Sequence, residues 1–326
     1  MSERKRVLSG IQPSGQLHIG NYFGAIRQFL ELQEAGHDLF IFVANYHALT
    51  TTHDKALLEA NTLHIVKGLV ALGIDPDRTT LFVQSHVPEV CELSWFLSIV
   101  TPMGLLERAH SYKDKVAKGI APNHGLFAYP VLMAADILAY DSHIVPVGRD
   151  QKQHVEITRD LAIKFNQTFG RDVFVLPDTY TVESTAVVPG IDGQKMSKSY
   201  DNTILVFDTD KRTKKRCGQI VTDSTPVEAP KNPDTCNVYA LLKLFSTDVE
   251  MSEWATRYRA GGMGYGDAKQ ALSDRINAQF AAARARYAEL DADPQAVQCI
   301  VRKGADQARA VAAETMRRVR DVTGIL

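Results

Sequence analysis

The chain has almost no net charge: 37 Lys and Arg stand against 38 Asp and Glu in 326 residues, a formal −1 at pH 7. That excludes whole-molecule attraction to nucleic acid, so any site for a polyanion must be a local patch. Cysteine is scarce, with four residues at 91, 217, 236 and 299 and no close pair. The paired spacings that chelate zinc are therefore excluded, and reduced, mostly buried thiols are expected. No apolar run approaches the ~18 residues that a membrane span requires. The run after the charged Met1-Ser-Glu-Arg-Lys-Arg breaks at Ser9-Gly10, too early for a signal-peptide core, so a cytoplasmic protein is expected. Internal repeats and low-complexity stretches are also lacking.

What is present is a globular composition, 45% hydrophobic and 23% charged. The length suits two domains at roughly 100–200 residues each. Arg6 to Gly10 reads as a strand, Ile11 to Leu17 as a loop, and Ile19 to Glu34 as a helix with one apolar face. A second unit repeats the pattern, with the apolar run Asp38-Leu-Phe-Ile-Phe-Val-Ala-Asn followed by helical spacing from Asp54 onward, and Thr79 to Gln84 is again strand-like. Doubly buried strands alternating with helices predict a doubly wound, parallel α/β sheet of Rossmann type. Such sheets bind ligands beyond the C-terminal ends of their strands, which places the loops 11–18 and 45–52 first as a site. After about Val206 the texture becomes basic and then helical, with Ala281 to Leu290 and Ala305 to Val319 built from good helix formers. Residues 1–205 are thus read as the α/β domain, with a ligand site at those loops, and residues 206–326 as an all-helical domain.

The first loop reads Gly10-Ile-Gln-Pro-Ser-Gly-Gln-Leu-His-Ile-Gly-Asn. It sets His18 and Asn21 three apart at a helix start, where free N–H groups favour an anion, and Gly20 lets a flat ring approach the backbone. The same glycines would equally serve a tight turn with His18 as a cap. A second cluster, Lys195-Met-Ser-Lys-Ser, lies among Gly190, Gly193 and Asn202 and carries two ammonium groups able to reach one polyphosphate. Met133 and Asp136 share a face of an apolar helical segment, and a buried Asp needs a partner; a surface or capping carboxylate is the alternative. Trp95 and Trp254 read as core or interface residues.

His18-Ile-Gly-Asn followed far downstream by Lys195-Met-Ser-Lys-Ser resembles the paired signature of class I aminoacyl-tRNA synthetases. The flanking Gly10-Ile-Gln-Pro-Ser-Gly, Tyr129-Pro-Val-Leu-Met-Ala-Ala-Asp, Val145-Pro-Val-Gly-Arg-Asp-Gln-Lys-Gln-His and Val221-Thr-Asp-Ser are similar to the bacterial tryptophanyl-tRNA synthetases, from about residue 7 onward. The resemblance implies activation of L-tryptophan by ATP to an enzyme-bound adenylate, release of pyrophosphate, and transfer to the 3′ end of a tRNA. The attacking carboxylate is already ionised, so no general base is needed and the lack of a Ser/His/Asp constellation agrees with it.

By that resemblance Lys195, Lys198, His18 and Asn21 act in catalysis. Gln12, Pro13, Ser14, Gly20, Gly148, Arg149, Asp150, Val187, Met196, Ser197 and Ser199 join them around ATP, which arrives with Mg²⁺. Asp136 is implied to accept the indole N–H, Tyr129 and Gln151 to hold the α-amino group, and Met133, His47, Val145 and Val147 to line the tryptophan pocket. Asn45, Tyr46 and Arg149 depart from the usual residues of the family. Some members hold an iron–sulfur cluster on four grouped cysteines, a grouping this chain lacks, so neither cluster nor zinc is expected. A homodimer is implied, with its interface in about residues 90–145 and one tRNA bridging both subunits. The loop at 190–202 is expected to be mobile. Lys211-Arg-Thr-Lys-Lys-Arg suits the tRNA acceptor end, and Arg302, Lys303, Arg309, Arg317 and Arg318 suit the anticodon side.

Overall fold

Strands Arg6–Ile11 (β1), Asp38–Val43 (β2), Thr79–Val83 (β3), Ile144–Pro146 (β4) and Asp178–Tyr180 (β5) form one wholly parallel sheet in the order β3-β2-β1-β4-β5. The computed structural model describes residues 4–108, 119, 123–148, 152–180 and 187–325. The register of the two central pairs runs from Arg6↔Asp38 to Ile11↔Val43 and from Leu39↔Thr79 to Val43↔Val83. Successive strand side chains point to opposite faces. Val7, Leu39, Ile41, Val43 and Leu81 accordingly join one core, while Leu8, Phe40, Phe42 and Phe82 join another. This is why β2 reads as a continuous apolar run.

The first crossover, α1, runs through Ile19–Asn21, a π-helical stretch Tyr22–Ile26, and Arg27–Glu34. A short turn of helix, α2 (Asn45–Ala48), precedes α3 (Lys55–Ala71), which Asp54 caps by accepting the Leu57 N–H at 2.9 Å. After β3 come α4 (Glu89–Ser98), α5 (Met103–Glu107) and α6 (His124–Leu138). Helix α7 (Lys152–Phe169) joins β4 to β5. The remainder is helical: α8 (Asp210–Gly218), α9 (Asn237–Lys243), α10 (Asp248–Ala260), α11 (Tyr265–Ala292) and α12 (Pro294–Thr323). The strand order radiates outward from β1, so the crevice where the chain changes direction opens between β1 and β4.

The last helix returns to the sheet. A Cβ on Gly304 would stand 1.8 Å from the Leu81 carbonyl oxygen, so glycine alone lets α12 meet the backbone of edge strand β3. Its Val297 and Val301 belong to one core and its Ala308, Ala312, Met316 and Val319 to the other, so α12 crosses the edge between the two faces. Ion pairs fasten it there, among them Arg309–Glu89 at 3.2 Å, Arg318–Asp141 at 2.6 Å, and Lys303–Asp77. Arg317 pairs with Glu314 on its own helix. Four of the five cations expected to serve the anticodon are therefore engaged with carboxylates, and Arg302 is exposed.

Cys217 and Cys236 are buried as expected, but Cys91 on α4 and Cys299 on α12 are exposed, since each falls on the outer face of its helix. Trp254 is in the core, whereas Trp95 is 70% exposed. No helix among the described residues is long and apolar enough to cross a membrane.

Candidate active site

Both loops singled out from the sequence lie at the C-terminal ends of β1 and β2, facing the crevice. Leaving β1, the chain turns at Gly15 with φ +111° and enters α1 at His18. The Asn21 side-chain oxygen accepts the His18 N–H at 3.1 Å, closing the first turn back on the loop. Gly20 has no room for a side chain, because its Cβ would lie 2.8 Å from Nδ1 of His18. That Nδ1 is buried and has no hydrogen-bond partner among the described residues. Burial, and secondly the charge of Lys198, push the His18 imidazole down to about 4, so the ring is neutral at pH 7. Pro13 is buried beneath the loop, while Gln12 and Ser14 are exposed on it.

The lysine loop is brought to this place by a strap. The Ile19 N–H donates to the Ile204 carbonyl at 3.0 Å and the Val206 N–H to the Leu17 carbonyl at 3.0 Å, pairing residues 204–206 with the entry to α1. Asn202, nearly fully buried, latches the loop: its Oδ1 accepts the Ser197 N–H at 2.7 Å and its Nδ2 donates to Asp192 at 2.8 Å and to the Lys195 carbonyl at 3.2 Å. Gly190 is required there, since a Cβ would meet the Asn202 amide at 2.3 Å. Lys198 then donates from Nζ to Ser14 Oγ at 3.3 Å, and burial lowers its pKa to about 8. Lys195 is exposed, Met196 is buried against Gly20, and Ser197 accepts the Ser199 N–H at 3.3 Å. Val187 is 66% exposed.

Beside this loop pair is a cavity of about 410 Å³, a size usual for small-molecule sites. Gln12, His47, Tyr129, Met133, Asp136, Val145, Val147 and Gly148 all line it, so residues from β1, α2, α6 and β4 converge on one space. Gly10 stays a glycine because the Phe42 ring would lie 2.6 Å from its Cβ, and Phe42 lines the cavity as well. Asp136 is 1% exposed and does have partners. His47 Nε2 stands 2.8 Å from Oδ2, and Gln84 Nε2 donates to both oxygens at 2.8 Å. Gln84 is itself fully buried, and its Oε1 accepts the Tyr46 N–H at 3.0 Å and the His47 N–H at 3.4 Å. Each carboxylate oxygen offers two lone pairs. Oδ2 uses both on His47 and Gln84, whereas Oδ1 keeps one for a further donor.

Three contributors were missed from the sequence. Gln84 ends the β3 run as a polar residue after five apolar or threonine positions, the one signal that could have marked it. His154, quoted only within a motif, is buried with Nε2 3.1 Å from the Tyr129 hydroxyl. Phe42 looked like any other strand residue. The expected ligands Arg149, Asp150 and Gln151 lie outside the described residues.

With that geometry in hand, comparison with known proteins is specific. Residues 1–281 match the family model for class I tRNA synthetases of the tryptophan and tyrosine type. The tryptophan–tRNA ligase of Fusobacterium nucleatum is 51% identical over 99% of this chain and 98% of its own length. That of Campylobacter jejuni is 52% identical over 98% of this chain and all of its own. A crystal structure of the Campylobacter jejuni enzyme with ADP and tryptophan superimposes with a TM-score of 0.93 at 52% identity, covering 98% of this chain and 99% of that one. The Mycoplasma pneumoniae enzyme gives 0.81 at 31% identity, covering 98% of each chain. The chain therefore belongs to the class I tryptophanyl- and tyrosyl-tRNA synthetases and, within them, to the tryptophan–tRNA ligases.

Proposed function

We propose that the 410 Å³ cavity holds L-tryptophan with its indole N–H donated to the spare lone pair of Asp136 Oδ1, and that the loops 10–21 and 190–202 hold ATP beside it. The observation that carries this reading is the doubly held carboxylate at the cavity wall. A buried acceptor fixed by two donors cannot turn away from a substrate that lacks an N–H, so phenylalanine would leave the spare Oδ1 lone pair unfilled, the kind of mismatch that costs up to ~10⁴–10⁵ in discrimination. Met133, Val145, Val147 and His47 pack the ring, Tyr129, oriented by His154, faces the α-amino group, and the family resemblance assigns Gln151 to the same group.

Activation then needs alignment and charge stabilisation rather than proton abstraction. The tryptophan carboxylate attacks the α-phosphorus, an oxygen–phosphorus bond forms, and the bond to the pyrophosphate oxygen breaks with its electron pair leaving on pyrophosphate. Lys198 and Lys195 stabilise that leaving charge, the neutral His18 and Asn21 hold the phosphate run at the start of α1, and Gln12, Pro13 and Ser14 shape the cradle. Gly20 admits the adenine against the backbone, between Met196 and Val187, Gly148 faces the ribose, and the family resemblance assigns Asp150 to the ribose and Arg149 to the ATP site. Mg²⁺ would arrive on the phosphates of ATP and add to the charge stabilisation there.

Transfer to tRNA follows on the same enzyme. Lys211, Lys214 and Lys215 on α8 are exposed beside the strap and suit the acceptor-end phosphates, while Arg212 and Arg216 are paired with Asp208 and Asp201. Residues 206–326 supply the tRNA-binding region on this reading. A second copy would cover Trp95, Ile99 and Met103, large apolar side chains exposed around α4 and α5 within the segment expected to form the dimer. The reaction is placed in the cytoplasm.

The test is ATP–pyrophosphate exchange with tryptophan, tyrosine and phenylalanine in parallel, wild type beside Asp136→Asn. Exchange with tryptophan alone, lost in the variant, is expected. Exchange with tyrosine would move the pocket assignment, and undiminished exchange by Asp136→Asn would remove the carboxylate from the specificity argument.

A further inference from the structure

His64 lies on α3, outside every motif the sequence carries, yet it touches the nucleotide loop. Its Nε2 is 3.0 Å from the backbone N of Leu17 and its Nδ1 is 2.7 Å from the Tyr287 hydroxyl on α11. A backbone N–H can only donate, so Nε2 must be bare and the ring proton must sit on Nδ1, directed at Tyr287. Burial, followed by the charges of Lys67 and Lys198 and opposed by Asp291, pushes the imidazole down to about 4. The bare acceptor therefore persists at neutral pH.

The surroundings leave this ring no slack. The Tyr287 ring lies 4.4 Å from that of Phe207, which follows the strap, and Lys67 sits 5.2 Å over Tyr287 while pairing with Asp291. Gly68 admits Leu17 and Phe207 to the same spot, since a Cβ there would meet them at 2.5 and 3.1 Å. Leu17 is thus held on both sides of its backbone, its N–H by His64 and its carbonyl by the Val206 N–H. The next residue in the chain is His18.

We propose that His64 is a positioning residue for ATP: it fixes the Leu17–His18 backbone in the shape that receives the nucleotide and ties that loop, through Tyr287, to the long helix α11. The proposal rests on the reading of residues 10–21 as the ATP cradle. Its specific content is directional, because His64 is joined to the nucleotide loop and to no residue of the cavity wall described above. Losing it leaves the buried Leu17 N–H unpaired and slackens one side of the site only.

The experiment is pyrophosphate exchange with separate KM values for ATP and tryptophan, on wild type, His64→Leu, His64→Gln and Tyr287→Phe. His64→Leu is expected to raise the ATP KM about tenfold with the tryptophan KM within about twofold of wild type, the scale of one lost hydrogen bond. His64→Gln, whose amide oxygen can accept from Leu17, should recover most of that loss, and Tyr287→Phe should raise the ATP KM roughly threefold with little change in melting temperature. An unchanged ATP KM in His64→Leu overturns the proposal, as does a parallel rise of both KM values in His64→Leu and His64→Gln. Should His64→Leu not fold, Tyr287→Phe decides, a wild-type ATP KM there being the overturning result. Wild-type exchange with tryptophan alongside an unaffected variant sinks the role of His64 alone, whereas absent wild-type exchange sinks the activity assignment and this proposal together.

Discussion

Lys198 and Ser14, 184 residues apart in the chain, meet at 3.3 Å between Nζ and Oγ, and this contact closes the lysine loop onto the turn that follows β1. It also explains the depressed lysine: the ammonium gives up much of its water for one hydroxyl partner, and burial lowers its pKa to about 8. On the proposed reading, the charge that Lys198 offers to leaving pyrophosphate is present below that value and lost above it. A plot of kcat/KM for ATP against pH should therefore fall through about pH 8, and Lys198→Arg should carry that limb upward by holding its charge. A flat profile to pH 9.5 in the wild type would separate Lys198 from the reaction.

On the proposed reading, the exposed Lys195 acts on the leaving charge rather than on the folded apo-protein. Lys195→Ala is expected to lower turnover about 10²–10³-fold with the tryptophan KM little changed, the loss usual for one charge-stabilising donor. Single-turnover adenylate formation by rapid quench measures this directly, and wild-type rates in the variant would rule it out.

Gln84 holds both oxygens of Asp136 and anchors the backbone of Tyr46 and His47. Gln84→Leu should raise the tryptophan KM about tenfold while sparing ATP, because it frees the carboxylate without touching the nucleotide loops. A calorimetric titration of tryptophan into wild type and variant gives the comparison. Equal affinities would mean that His47 alone orients Asp136.

Acid should destabilise the fold in a defined window. His18 and His64 are both held down to about 4, against an ordinary value of 6.5. Between those limits the unfolded chain binds protons that the folded one refuses, so stability is full above pH 6.5 and falls as pH drops toward 4. Urea midpoints at pH 7, 5.5 and 4.5 should decline in that order. The decline should shrink in His64→Gln, which has no imidazole to titrate there.

Phosphate contacts by Lys211, Lys214 and Lys215 would make tRNA binding fall steeply between low and moderate salt, while tryptophan activation changes little. Filter binding beside pyrophosphate exchange over the same salt series separates the two, and a parallel decline of both would dismiss the patch.

The sheet was legible because β1, β2 and β3 are buried on both faces, and an apolar run between turn residues carries that fact in one dimension. Strands β4 and β5 have three residues each, too few to show a pattern, and only the sheet makes them strands. The cavity's lining at Asp136, Met133, Tyr129, His47 and Val145 came from family motifs, and the geometry gathers those residues in one place. What no motif could show was pairing across the chain. Gln84 and His64 carry their meaning only through partners 52 and 47 residues away, at Asp136 and Leu17. The arginines of α12 suit the anticodon on charge alone, because a sequence shows charge without showing the carboxylate opposite it.

Gly304 against the Leu81 backbone has a consequence for synthesis. Ribosomes deliver the chain from its N-terminus, and the first three strands emerge more than 200 residues before α12 does. Until that helix arrives, β3 presents an uncovered edge and both cores lack their closing side chains, the kind of surface on which nascent chains associate. Translation must therefore pass residue 323 before the earliest part of the sheet is shielded, so the exposure of β3 lasts for more than 200 residues of further synthesis.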